Sequence, residues 1–396
     1  MKVIIAIDSF KGSLTSTEAG QTVQESILQI HPDWETDIIP IADGGEGMLE
    51  VMLNATQGKT HHTWAHNPCM ERIPTTYGIS DDGITAFIEM ASISGLPLIR
   101  KEQQNPMKTT TYGTGELIRE ALEKGCTRFI IGIGGSATND AGTGMLQALG
   151  FRFLDHNGDS LGHGGEILEK IAFVDTSQKH PLLKSAHFTV VCDVNNPFYG
   201  PNGAAYIFAR QKGADDPMIE SLDQGLRSFA KVIQKETGKD ISHIPGSGAA
   251  GGMGGGMLAF LQAELKPGAD LLLDISQFEA RIANTDLIIT GEGRLDRQSL
   301  MGKIPGKILQ RGLAHNIPVM ALAGCVEDKE QLIRAGFQRI YATKPEDMAL
   351  EEAMKREVAL QNIQNCILGT TYLEAFIRQG HIHKSSASIL HFLRHL

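Results

Sequence analysis

The chain opens Lys2-Val3-Ile4-Ile5-Ala6-Ile7-Asp8-Ser9-Phe10-Lys11-Gly12-Ser13. Its first half is an unbroken apolar run. A strand with one face in water alternates polar and apolar residues, whereas a parallel strand covered on both faces reads as continuous hydrophobicity. Lys2 to Ile7 is therefore a buried strand of a parallel sheet. Val3 to Ile7 is too short for a signal h-region of about 7–15 residues, and no apolar run approaches the ~20 residues of a membrane span. The polar half, Asp8 to Ser13, falls where open α/β sheets hold ligands, outside the carboxyl end of a strand.

Working outward, Thr15-Ser16-Thr17-Glu18 is a capping box, and Ala19, Val23, Ile27 and Ile30 follow at helical spacing up to Pro32. Asp37 to Ile41 is a second strand, Glu46 to Ala55 a helix ending near Gly58, and His61 to Ala65 a third strand. From about residue 74 the pattern changes. Pro74 to Ser80 and Ile84 to Met90, split by Asp81-Asp82-Gly83, predict a hairpin, which a purely parallel sheet does not use. Leu117 to Leu122 (helix), Arg128 to Ile133 (strand), a helix around Met145–Leu149 and a strand through Val190-Val191 follow. A helix opens at Pro217 with Asp216 as its cap, lines one face with Leu222, Leu226, Phe229 and Ile233, and closes at Gly238.

After about residue 280 the βα alternation returns: Asp286–Thr290, Gly306–Ala314, Pro318–Ala323, Lys329–Ala335 and Arg339–Thr343, then a helical run from Glu346 to about Ile377. The expected fold is α/β. A doubly wound parallel-sheet domain is made from both chain ends, 1–75 plus 281–396, with a mixed α+β domain, 76–280, inserted. The tail from Gly380 is His- and Ser-rich, with one short helix expected around Ile389–Leu396.

Composition removes several function classes. The 396 residues carry 36 Lys+Arg against 46 Asp+Glu, a formal net charge of −10. No basic run exceeds two residues, so nucleic acid is not an expected partner, and neither is a membrane. The five cysteines are widely spaced and form no CxxC pair, as expected of free thiols in the cytoplasm. The 44 glycines cluster in short loops beside acidic and hydroxyl residues.

Four such loops fall at one edge of the outer sheet: Asp8–Ser13, Ala42–Gly47, Gly291–Asp296 and Ala323-Gly324. Any one alone could be a glycine turn with a helix-capping acid. Together they assemble three acidic clusters with Lys11 and Arg294. In the inserted domain, Gly132-Ile133-Gly134-Gly135-Ser136-Ala137-Thr138-Asn139-Asp140-Ala141-Gly142 joins a strand to a helix. Its glycines let backbone approach an anion, the helix N-terminus supplies N–H groups, and Ser136 and Thr138 add hydroxyls. It is the best phosphate cradle in the chain. Asp193-Val194-Asn195-Asn196-Pro197 suits magnesium or a substrate hydroxyl, or is an Asx turn.

Gly246, Gly248 and Gly251 spell GxGxxG, but no strong strand feeds them, so a loop against a nucleotide or a helix-packing seam is the better reading than a nicotinamide site. There is no GxxxxGK[ST], no protein-kinase signature and no GxSxG. Carboxylates for magnesium, cations for a transferring phosphate and a carboxylate to take a hydroxyl proton fit phosphoryl transfer to a small hydroxyl compound.

At these loops the sequence resembles the bacterial glycerate kinases. The resemblance lies in Asp8–Ser13 (DSFKGS), Ala42–Gly47 (ADGGEG), Gly132–Gly142 (GIGGSATNDAG), Asp193–Pro197 (DVNNP), Gly246–Gly254 (GSGAAGGMG) and Gly291–Lys303 (GEGRLDRQSLMGK), in the family's order. Ala141 stands where the family often has glycine. The resemblance implies ATP-dependent phosphorylation of D-glycerate, most often at the 2-hydroxyl, in a cleft between two α/β domains. Expected roles follow. Gly134, Gly135, Ser136, Thr138 and Asn139 meet ATP phosphates, and Asp193 holds Mg2+ or acts as base. Lys11 and Arg294 clamp the glycerate carboxylate or the transferring phosphoryl group. Asp8, Asp43, Glu46, Glu292 and Asp296 serve the hydroxyl or the metal, and Lys303 stands with them on the substrate side. The alternatives are a kinase for another small hydroxy acid or sugar acid, and a non-catalytic or redox dinucleotide-binding protein. The oligomeric state is left open.

Overall fold

The computed structural model describes residues 1–41 and 48–369. The chain divides into two compact units: Met1–Ile41 with the chain from Phe278 onward, and Ala42–Gln277. The junctions expected at 75/76 and 280/281 therefore move to 41/42 and 277/278. Among the described residues the strands before the first junction are β1 (Lys2–Ile7) and β2 (Glu35–Ile38). The second unit holds β3 (Lys59–His66), β4 (Arg72–Ile79), β5 (Thr85–Glu89), β6 (Arg128–Gly132), β7 (Arg152–Leu154), β8 (Phe173–Asp175), β9 (His187–Val191) and β10 (Glu264–Lys266). The chain returns to the first with β11 (Leu287–Leu295), β12 (Val319–Val326) and β13 (Arg339–Ala342).

In the first unit five parallel strands lie in the order β13-β12-β11-β1-β2. β1 sits between β11 and β2, which is why Val3 to Ile7 can be uniformly apolar: all are buried. Val3, Ile5 and Ile7 pack with Ala19, Val23 and Ile27 of helix Ser16–Ile30 and with Ala359, Ile363 and Ile367 of helix Arg356–Leu368. The capping box forms as expected, Thr15 Oγ1 accepting from Glu18 N at 3.2 Å and Glu18 accepting from Thr15 N at 2.9 Å. Glu18 also accepts from Arg356 Nε at 2.6 Å, tying the two helices together. Helix Ile304–Ala314 covers the opposite face. There Gly312 lies so close that a Cβ would stand 2.4 Å from Val319 Cγ2 and 3.4 Å from Ile288 Cδ1.

This arrangement makes a topological switch point. From β1 the chain moves one way to β2, and from β11 it moves the other way to β12, through helices on opposite faces. A crevice opens at the carboxyl ends of two adjacent strands whose connections diverge in this way. Two of the four expected loops are strand instead. β11 runs on through Gly291-Glu292-Gly293-Arg294-Leu295 because Arg294 and Leu295 still pair with Cys325 and Val326, and Ala323-Gly324 lies inside β12. The long helical run is broken into Leu350–Ala353 and Arg356–Leu368. Its continuation past residue 369, and the tail, lie outside the described residues.

The second unit has a mixed six-stranded sheet, β10-β9-β6-β5-β4-β3, antiparallel at β3–β4 and β4–β5 and parallel elsewhere. The strand expected to be third in the outer sheet is β3 here, because it pairs with β4 over its whole length, from Lys59 opposite Ile79 to His66 opposite Arg72. Helix Met48–Thr56 follows it into this unit: Met48, Val51 and Met52, with Leu271 and Leu272 of helix Gly268–Ile275, bury Phe87 and Val191 on one face. The other face packs on helices that include Tyr112–Glu123 and Asp216–Thr237. The latter is capped by Asp215, which accepts from Met218 N at 2.9 Å, one residue earlier than expected. Gly132 of β6 lies opposite Val191 of β9, so the loops after these parallel strands leave from one sheet edge. No described helix is long and apolar enough to cross a membrane.

Candidate active site

At that edge a cavity of about 290 Å³ is lined by Gly134, Gly135 and Ser136, by Asp193 and Val194, by Lys212, and by Ala249 and Ala250. Three stretches remote in sequence meet here, together with a lysine that the motifs did not single out. Lys212 is 1% exposed and donates from Nζ to Ser136 Oγ at 2.8 Å and to the Thr138 carbonyl at 2.6 Å. Burial pushes its ammonium down to about 7, with the Asp140 carboxylate acting in the other direction. Its context, Arg210-Gln211-Lys212-Gly213, reads as an ordinary polar turn. The only hint was Gly213, whose backbone (φ +97) presses so near Gln104 that a Cβ would stand 2.2 Å from its carbonyl oxygen. Asp193 has a second task, since its Oδ1 accepts from Gly268 N at 2.8 Å and so caps helix Gly268–Ile275. Burial pushes the neighbouring Cys192 thiol up, away from thiolate chemistry.

Ser136 faces the cavity, whereas Thr138 and Asn139 are fully buried behind it. Thr138 Oγ1 and both amide atoms of Asn139 have no hydrogen-bond partner among the described residues. The helix after the cradle, Thr143–Ala148, does not offer its N-terminus to an anion as expected. The buried Asp140 carboxylate accepts there from Gly142 N at 3.1 Å and Gly144 N at 3.3 Å, and from Thr111 N at 2.8 Å and Oγ1 at 2.9 Å. Thr111 Oγ1 in turn accepts from Met145 N at 2.9 Å. The chain's own side chains fill the position. Ser136, Lys212 and the Gly134-Gly135 stretch line the cavity itself.

The GxGxxG segment is a packing seam. A Cβ on Gly251 would stand 2.2 Å from the Thr138 carbonyl oxygen, and one on Gly256 2.2 Å from that of Ala141. No strand feeds it, and the dinucleotide alternative gains no support. Ala141 itself adopts φ +54, a left-handed conformation that glycine holds without strain.

The first unit has its own crevice, about 440 Å³, at the switch point. Asp8, Lys11, Glu292, Arg294 and Lys303 meet in its wall, with Ser13, Glu327, Lys344 and Asn362, to which the sequence reading gave no role. Asp8 is buried, its Oδ1 accepting from Ser9 N at 2.6 Å. Lys303 Nζ lies 3.9 Å from buried Glu292 Oε2. Arg294 Nη2 donates to Glu327 at 2.6 Å, a bond that raises the guanidinium further above its usual range. Asp296 lies off the wall: it caps the turn Arg297–Leu300, accepting from Gln298 N at 2.8 Å. Asp43 and Glu46 lie outside the described residues. Carboxylates beside lysines and an arginine suit a small hydroxy acid, with cations for its charge and an acceptor for its proton.

The model of the glycerate kinase family matches residues 3–370. The glycerate 2-kinase of Escherichia coli K12 is 45% identical over 356 residues, 90% of this chain and 93% of that protein. The glycerate kinase of Halalkalibacterium halodurans is 41% identical over 367 residues, 91% and 97%. A crystal structure of a glycerate kinase 2 candidate from Salmonella typhimurium LT2 superposes with a TM-score of 0.86 at 40% identity, covering 96% of this chain and 99% of that one. Fold, site and relatives together define a phosphotransferase that uses an alcohol group as acceptor. The chain belongs to the glycerate kinase family.

Proposed function

We propose that the chain transfers the terminal phosphoryl group of ATP to the 2-hydroxyl of D-glycerate, giving 2-phosphoglycerate and ADP in the cytoplasm. The observation that carries this reading is the convergence of Gly134, Gly135, Ser136, Asp193 and Lys212 on one cavity, in a chain of this family. The name of the E. coli relative supports the 2-hydroxyl. The nucleotide's phosphates occupy the cavity of the second unit, against Ser136 and the Gly134-Gly135 backbone. Among the described residues no three His, Cys, Asp or Glu side chains could hold a metal by themselves. Magnesium needs no such cage, because it binds through one or two carboxylates plus substrate phosphates. Asp193 fits that role, and the ion would neutralise charge on the phosphates.

Glycerate occupies the crevice of the first unit, its carboxylate on Lys11, Lys303 and Arg294. Asp8 or Glu292 accepts the proton of the 2-hydroxyl. That oxygen forms the new P–O bond as the bond to the ADP oxygen breaks, and the proton stays on the carboxylate. Positioning and electrostatics supply the rate, as in phosphoryl transfer generally. Phosphorus NMR of a mixture of the protein, ATP, magnesium and D-glycerate tests this. Signals of ADP and 2-phosphoglycerate are expected. Folded protein forming no ADP above background refutes the kinase reading, and 3-phosphoglycerate refutes the regiochemistry.

A further inference from the structure

Lys212 borders the same cavity as Gly134, Gly135 and Asp193 while being 1% exposed. An ammonium has three N–H donors. Two are used, on Ser136 Oγ and the Thr138 carbonyl, and neither acceptor is charged. Burying an ammonium away from water without a bound counter-ion is costly, so a fold that keeps one holds it for a reason beyond packing. The charged or titratable groups around it are few. Asp140 is the carboxylate whose field reaches Lys212, and its own bonds go to Thr110, Thr111, Gly142 and Gly144. Asp193 shares the cavity and is engaged with Gly268 N. The Cys192 thiol is kept neutral by burial.

We infer that Lys212 Nζ binds the nucleotide directly, its third N–H meeting a phosphate oxygen in the cavity, and that its bonds to Ser136 and Thr138 set the cradle loop in place beforehand. This rests on the reading that ATP binds in the second unit. A charge held in a low-dielectric wall attracts an anion far more strongly than one in water. There is also a protonic consequence. With burial holding the ammonium near 7, most of the free protein carries neutral Lys212 at pH 8. An arriving phosphate favours the charged form, so binding draws in a proton at that pH and little below pH 6.

Calorimetric titration of the full-length protein with MgATP at pH 8, in two buffers of different ionisation heat, measures both affinity and proton uptake. Uptake near one proton is expected for the wild type. Lys212→Met should bind about 10- to 100-fold more weakly and take up none. Lys212→Arg, charged at every pH, should recover part of the affinity without the uptake. Folded Lys212→Met that binds as the wild type does overturns the inference, as does wild-type binding without uptake. Should Lys212→Met fail to fold, wild type and Lys212→Arg decide: uptake lost in Lys212→Arg supports the inference, and uptake retained overturns it. A wild type that binds no MgATP refutes the nucleotide reading itself.

Discussion

Asp140→Asn changes charge and almost no volume, and its cost can be worked from the bonds already described. Oδ2 faces Thr111 N at 2.8 Å, Thr111 Oγ1 at 2.9 Å, Gly144 N at 3.3 Å and Thr110 Oγ1 at 3.4 Å, while Oδ1 faces Gly142 N at 3.1 Å. A hydrogen bond to a charged group contributes about 1.5–3 kcal/mol and a neutral one about 0.5–1.5. An amide oxygen in place of Oδ2 keeps its four donors at neutral strength, losing up to about 1 kcal/mol on each. The amide nitrogen then faces Gly142 N, donor against donor, for a further 1–3 kcal/mol or so. Relief from burying a full charge offsets part of the sum. A net loss of about 3 kcal/mol, or roughly 6–12 °C in Tm for a unit of this size, is the expectation. Thermal unfolding followed by circular dichroism measures it. A Tm within about 2 °C of the wild type would show that Asp140 does not hold the loop, and an unchanged Tm with lost turnover would give the carboxylate a chemical role instead.

Gly248→Ala would put a Cβ 2.1 Å from the Pro197 carbonyl oxygen and should destabilise by about 3 kcal/mol or more, whereas Gly162→Ala meets nothing within 4 Å and should leave Tm nearly unchanged. Equal Tm values for the two would contradict the packing seam. Asp193→Asn keeps an acceptor for Gly268 N and should retain stability, while Asp193→Ala loses about 1 kcal/mol of cap. In both, kcat should fall at low magnesium, and the loss should shrink as magnesium is raised, because Asp193 positions the ion on the phosphates. Wild-type kcat in Asp193→Asn at low magnesium excludes that role. Arg294→Ala should leave Tm in place and raise KM for glycerate without changing KM for ATP. The reverse pattern in KM would move Arg294 to the nucleotide.

What the sequence determined by itself was local or periodic. The run Val3 to Ile7 demanded two covered faces, the Thr15–Glu18 box fixed a helix start within four residues, and a 3.6-residue stripe from Leu222 to Ile233 needed only its own spacing. The loop motifs likewise named Asp8, Lys11, Ser136 and Asp193, because glycine beside carboxylate and hydroxyl is visible in a line of text. Tertiary structure decided the rest, wherever the outcome depended on a remote partner. The segment Lys59–His66 is equally good as a strand in either sheet, and its eight-residue pairing with Arg72–Ile79 settled which. Gly291–Leu295 looks like a loop until Cys325 and Val326 pair with it. Asp140 is one more acid in a glycine-rich loop until Thr111 and the amides of Gly142 and Gly144 close around it. Lys212 reads as a solvated surface charge in its own sequence, and only folding takes it out of water and sets it on Ser136 and Thr138. Propensity and periodicity act over a few residues, whereas desolvation is imposed by every segment that packs around a group, so burial of a charge is not written in its neighbours along the chain.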